Sequence, residues 1–136
     1  MRLGSLLKVA VVAATTVYAS PAAAHHSAAM YDQQKTQVLT GTVQEFQWGS
    51  PHVWLQLNVQ KGDKTEAWGI EALNPMQLGR MGWKRTTFKP GDKVTVTVYP
   101  HRDGRPIGQF VSATLADGST LGGRPPATPP GSEKSE

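Results

Sequence analysis

The strictest constraint on this chain is the alternation running from His52 to Gln60. Val53, Leu55, Leu57 and Val59 fall on one side of an extended backbone, and His52, Trp54, Gln56, Asn58 and Gln60 fall on the other. A period of two predicts a strand with one buried face. Neighbouring segments repeat the pattern. Gln37 to Trp48 reads as a long first strand, with Val38, Thr40, Thr42, Phe46 and Trp48 of one parity and Leu39, Gly41 and Val43 of the other. Gly41 inside it predicts a bulge or a sharp bend. Lys61-Gly62-Asp63-Lys64 is hairpin-turn chemistry, leading into a strand from Thr65 to Leu73 with Trp68 and Ile70 on one face. Beyond the turn at Lys89-Pro90-Gly91-Asp92, Lys93 to Tyr99 alternates with Val94, Val96 and Val98 inward. His101-Arg102-Asp103-Gly104 turns the chain again, and Gly108 to Leu115 is the last expected strand.

Asn74-Pro75 changes the rhythm. Asn is a strong N-cap, and Pro is tolerated at the first helical position because its missing N–H would be unpaired there anyway. A short helix is expected, lined on its inner side by Met76, Leu78 and Met81 and ending near Gly82. Three strands, a short helix and two strands is the order of an OB-type barrel. The expected fold is all-β: a small five-stranded OB-like barrel with one helix between strands three and four. A five-stranded open sandwich is the alternative.

The two ends read differently from this middle. Arg2 and Lys8 precede an apolar run that Pro21 closes, and Ala22-Ala23-Ala24 supplies a small-residue cleavage site, the pattern of a secretory signal. The run is shorter than the roughly 20 apolar residues a spanning helix needs. The expected organisation is therefore a signal at 1–24, an extended arm at 25–35, the barrel at 36–118, and a disordered Gly/Pro/Ser-rich tail at 119–136, whose composition buries too little apolar surface to offset its ordering entropy. A periplasmic or secreted location follows, with no membrane span after cleavage. The sequence has no cysteine, which excludes thiol catalysis and thiolate metal sites. Its formal charge is +4, but two of the basic residues leave with the signal and the rest are scattered, so nucleic acid is not the expected partner.

Gly41-Thr42-Val43-x-Glu45-Phe46-x-Trp48 and Pro51-His52-x-Trp54-Leu55, followed by Gly82-Trp83 and Lys89-Pro90-Gly91-Asp92-x-Val94-Thr95-Val96, resemble a family of small exported bacterial proteins catalogued as a domain of unknown function. Asp103-Gly104, Thr114-Leu115-Ala116-Asp117-Gly118 and the His25-His26-Ser27 that follows the signal belong to the same resemblance. Where family members usually carry Asn and an aromatic, this chain has Ser50 and Ala28. The resemblance implies export and a barrel, and it brings no activity.

Three sets of residues bear on chemistry. Cleavage after Ala24 would make His25 the first residue, and an N-terminal His offers an amine and a ring nitrogen to one ion. With His26 and His52 this is a nitrogen set suited to Cu(II); the plainer reading is a polar start on a loose arm. His52 and Trp54 lie opposite the aliphatic face, so Trp54, and with it Trp83, is a candidate binding surface for an envelope protein, a peptide, a glycan or a small molecule. The plainer reading packs Trp54 under the arm or against Trp48 or Trp68. Glu45, Glu66, Glu71, Asp92 and Asp103 are expected to be solvated surface and turn residues, and no Gly-x-Ser-x-Gly elbow is present. The expectation is an exported binding module of unknown ligand and no enzymatic activity, with copper binding at His25, His26 and His52 as the alternative.

Overall fold

The computed structural model describes residues 28–123. The expected signal, His25, His26 and the chain from 124 onward lie outside them. Six strands form the sheet: β1 Gln37–Gln47, β2 Trp54–Lys61, β3 Lys64–Glu71, β4 Lys93–Pro100, β5 Ile107–Leu115 and β6 Thr120–Gly122; one helix, α1 Pro75–Arg80, lies between β3 and β4. The order is β3-β2-β1-β4-β5-β6, and a parallel pairing of β3 with β5 closes the first five strands into a barrel. This is the OB-like arrangement, and the open sandwich is set aside by that closure.

β1 is the strand that makes closure possible. Gln37 to Thr42 pair with β4, and Gly41 to Gln47 pair with β2, so Gly41 sits where the strand passes from one neighbour to the other. A Cβ there would run into the carbonyl of Asn58. The bulge itself falls later, between Val43 and Glu45. It reverses the parity, so Leu39 and Val43 before it and Phe46 and Trp48 after it all pack on the core. Both parities read from the sequence thus point inward, each on its own side of the bulge.

Val53, just before β2, and Leu55, Leu57 and Val59 of β2 meet Trp68 and Ile70 of β3, Val94, Val96 and Val98 of β4, and Phe110 and Ala113 of β5 in one core. Asn74 caps α1 as expected, its Oδ1 accepting from the Gln77 amide at 2.9 Å. Only Leu78 of the three expected inner residues is buried; Met76 and Met81 are exposed. In a six-residue helix, positions 76 and 78 stand on nearly opposite sides, so one of them had to face out.

Two further corrections concern the ends. The first residues of the tail expected at 119–136 instead form β6, whose Thr120 to Gly122 pair with Ser112 to Thr114 of β5. From Ala28 on, the arm is not a loose extension: a helical turn at Ala28 and Ala29 leads to Tyr31, which forms a bridge with His101 and is 1% exposed.

Candidate functional site

The arm docks where the barrel is weakest. β3 and β5 share only the pairs Gly69–Ile107, Ile70–Gly108 and Glu71–Gln109, so this seam has little backbone to hold it. Over it the arm makes a ladder of its own: the Asp32 amide donates to the Pro100 carbonyl at 2.8 Å, and the Arg102 amide to the Met30 carbonyl at 2.9 Å. Gln33 Nε2 donates to Gln109 Oε1 at 3.2 Å, and the Tyr31 ring meets His101 edge-on at 5.8 Å.

Beneath the arm lies a polar cluster. Glu71 is 4% exposed, a correction to its expected place among solvated acids. A buried carboxylate demands partners, because losing water without them costs several kcal/mol. Glu71 has two: the Tyr31 hydroxyl donates to Oε2, and His52 Nδ1 stands 3.4 Å from Oε1. Burial, and then the bond to Glu71 and its charge, hold the Tyr31 phenol well above the usual range, so it remains a neutral donor.

His52 is fixed by the end of the β2–β3 ladder. The Val53 amide donates to Leu73 and the Ala72 amide returns to Val53, which sets the Ala72 carbonyl 3.0 Å from His52 Nδ1. A carbonyl oxygen only accepts, so Nδ1 is the donor of this pair, the tautomer that in a neutral ring puts the lone pair on Nε2. Nε2 makes no hydrogen bond among the described residues. His52 also lines a groove of about 570 Å³ with Ser50, Pro51, Asn74, Met76 and Gln77.

The family designated DUF6152, a family of unknown function, matches residues 12–110. The chain belongs to DUF6152. No curated protein matches it. Among solved structures, this DUF6152 chain is similar to the mitochondrial single-stranded DNA binding protein Rim1 of S. cerevisiae, at 16% identity and a TM-score of 0.44, over 60% of this chain and 94% of that one.

The remaining expected site residues separate sharply. Trp83 is 3% exposed and is not a binding surface in this DUF6152 fold, a second correction. It stands edge-on to Phe110 at 4.8 Å and to Phe88 at 5.5 Å, and its indole N–H donates to the Gly122 carbonyl at 3.0 Å. Trp54 is partly buried on the outer face, opposite Glu71 in register and lying over Gly69, which has no side chain to lift it. The other acids are spent locally. Glu66 pairs with Lys61 at 2.7 Å, which holds its carboxyl below the usual range, and Asp92 accepts from the Lys89 amide within its turn. Asp103 is lowered to about 2, first by its bond to the Arg105 guanidinium. Glu45 is exposed.

Among the described residues no three His, Asp or Glu side chains converge as a metal site. A metal at His52 would need ligands from the start of the arm. No helix among the described residues is long and apolar enough to cross a membrane. Sequence reasoning missed Tyr31 and Glu71. Their signals were a lone large aromatic in an arm of small and polar residues, and an acid inside the apolar run Trp68 to Leu73.

Proposed function

We propose that this chain is exported, is cleaved after Ala24, and acts in the cell envelope as a ligand-binding barrel rather than an enzyme, with its site at the His52 groove. The observation that supports this is the anchored imidazole: Nδ1 is held by the Ala72 carbonyl beside Glu71 while Nε2 is left for a ligand. Glu71 is engaged in holding Tyr31 and His52, which favours binding over acid–base catalysis.

The ligand that suits this chemistry is Cu(II), bound by His25, His26 and His52. Metal-bound imidazoles commonly donate their second nitrogen to a carbonyl or carboxylate, the arrangement His52 shows. The docked arm supplies the reach. Tyr31 lies six positions after His25, a backbone length of at most about 20 Å, and Tyr31 shares a carboxylate with His52. The test is a Cu(II) titration with electron paramagnetic resonance on protein starting at His25, against a control with one extra Ala before it. Tight binding through several nitrogens, lost in the control and in His52→Ala, is expected; weak binding equal in both forms overturns the copper assignment.

A peptide or glycan partner on the Trp54 face is the second reading, favoured by the partly exposed indole that reaches over Gly69. It predicts that Trp54→Ala leaves stability nearly unchanged. A loss of about 3–5 kcal/mol, the cost of deleting a core aromatic, would make Trp54 structural.

A further inference from the structure

The basic residues are spread thinly along most of the chain, but one stretch is different. No acid lies between Glu71 and Asp92, and Arg80, Lys84, Arg85 and Lys89 all fall there. Outside that stretch the described residues hold six Lys and Arg against eight Asp and Glu. The fold makes the stretch a surface. Leu78, Trp83 and Phe88 are buried, the Trp83 amide donates to the Leu78 carbonyl at 3.0 Å, and the Trp83 and Phe88 rings meet edge-on. With those three turned into the core, the residues between them face out. All four cations are exposed, and so are Met76 and Met81, at 66% and 42%. Arg80 touches the Met76 sulfur at 3.9 Å, and Arg85 reaches the Trp48 carbonyl at 3.4 Å. None of the four forms an ion pair among the described residues. The flanking acids are engaged elsewhere, Glu71 with Tyr31 and His52, and Asp92 with the Lys89 amide.

Unpaired cations beside apolar side chains suit a partner that offers negative charge over an apolar interior. An anionic bilayer does so: its headgroups attract Lys and Arg, and the boundary beneath them accepts short apolar side chains. A soluble polyanion would engage the cations and leave both methionines in water. We propose that α1 and the loop from Met81 to Lys89 form a docking surface for an anionic lipid bilayer, which holds this end of the barrel against the membrane. The contact is peripheral, made by side chains at the headgroup level. It is a separate surface activity and does not depend on the metal reading of His52.

The experiment sediments the exported chain with vesicles of phosphatidylcholine, alone or mixed with phosphatidylglycerol. Binding is expected only to the mixed vesicles, and is expected to be lost at about 0.5 M salt, where screening shortens the reach of surface charge to a few Å. Lys84→Gln with Lys89→Gln is expected to weaken it about tenfold or more, each cation near an anionic surface being worth roughly fivefold. Lys35→Gln with Lys64→Gln removes the same charge at the other ends of β1 and of the β2–β3 hairpin, and is expected to cost less than about twofold. All four positions are exposed, and circular dichroism verifies the fold. The chain has no cysteine, so Met81→Cys and, as control, Lys64→Cys each give one site for a nitroxide label. On bound vesicles the label at 81 is expected to be shielded from an aqueous relaxation agent and the label at 64 to stay open to it. Equal losses in the two double variants, or equal access to the two labels, overturns the docking surface. Binding to heparin through Lys84 and Lys89, with none to the mixed vesicles, overturns the lipid assignment in favour of a soluble polyanion. The Cu(II) titration is unaffected by either result, so the two readings fail separately.

Discussion

Tyr31 and Glu71 show how much one buried pair can organise. The phenol ties the arm to β3, and the carboxylate it meets is the one His52 leans on. Tyr31→Phe keeps the ring and its contact with His101 but leaves Glu71 short of a donor. A loss of about 1–3 kcal/mol is expected, the cost of an unsatisfied buried polar group, read as a lower urea midpoint with an unchanged slope. The pH dependence follows from the direction of the shift. The folded-state pKa of Tyr31 is raised above its ordinary 10.0, so its contribution is fully present below that value and is lost as pH rises beyond it. With 13C-labelled tyrosine, the Tyr31 ring signal should hold its neutral position past about pH 10, where an ordinary phenol ionises. Ionisation of Tyr31 at that pH in folded protein would contradict the buried bond. None of this was visible as a pair in the sequence, because forty residues separate the partners and only barrel closure and arm docking bring them together.

At the scale of elements, period and turn chemistry did most of the work. The alternation of β2, the inward valines of β4 and the Asn74-Pro75 start of α1 are local signals, and the structure follows them. The bulge in β1 is not a local signal. It follows from the need to pair with β4 at one end and β2 at the other, and Gly41 marked the bend but not the residue that slips. Gly108 is a comparable point on β5. A Cβ added there would lie 2.7 Å from the Cβ of Val98, so the β4–β5 pair approaches too closely for any side chain. Gly108→Ala is expected to cost about 1–3 kcal/mol, as overpacking does. It should also speed amide exchange in β4 and β5 before other strands. A neutral effect would mean that the two strands part at little cost.

Across the whole molecule, the least legible part is the strand that finishes the wall. The three residues of β6 are too few to show a period, and Asp117-Gly118 looks like the start of a tail. Yet β5 pairs with β3 through its first residues and with β6 through its later ones, so β6 continues the wall where β3 leaves off. It also supplies the carbonyl for the Trp83 indole, and Gly123 packs so closely on the Phe110 ring that a Cβ would not fit. Two truncations separate a strand from a tail. Ending the chain after Asp117 removes β6 and leaves the Trp83 N–H without its acceptor, so a lower melting temperature and a red-shifted tryptophan emission are expected. Ending it after Gly123 keeps every contact described for Trp83 and should leave both unchanged. If the two truncations behave alike, the aromatic cluster of Phe46, Trp83, Phe88 and Phe110 holds that end of the barrel without help. β6 would then be an accessory of the fold and not part of its wall.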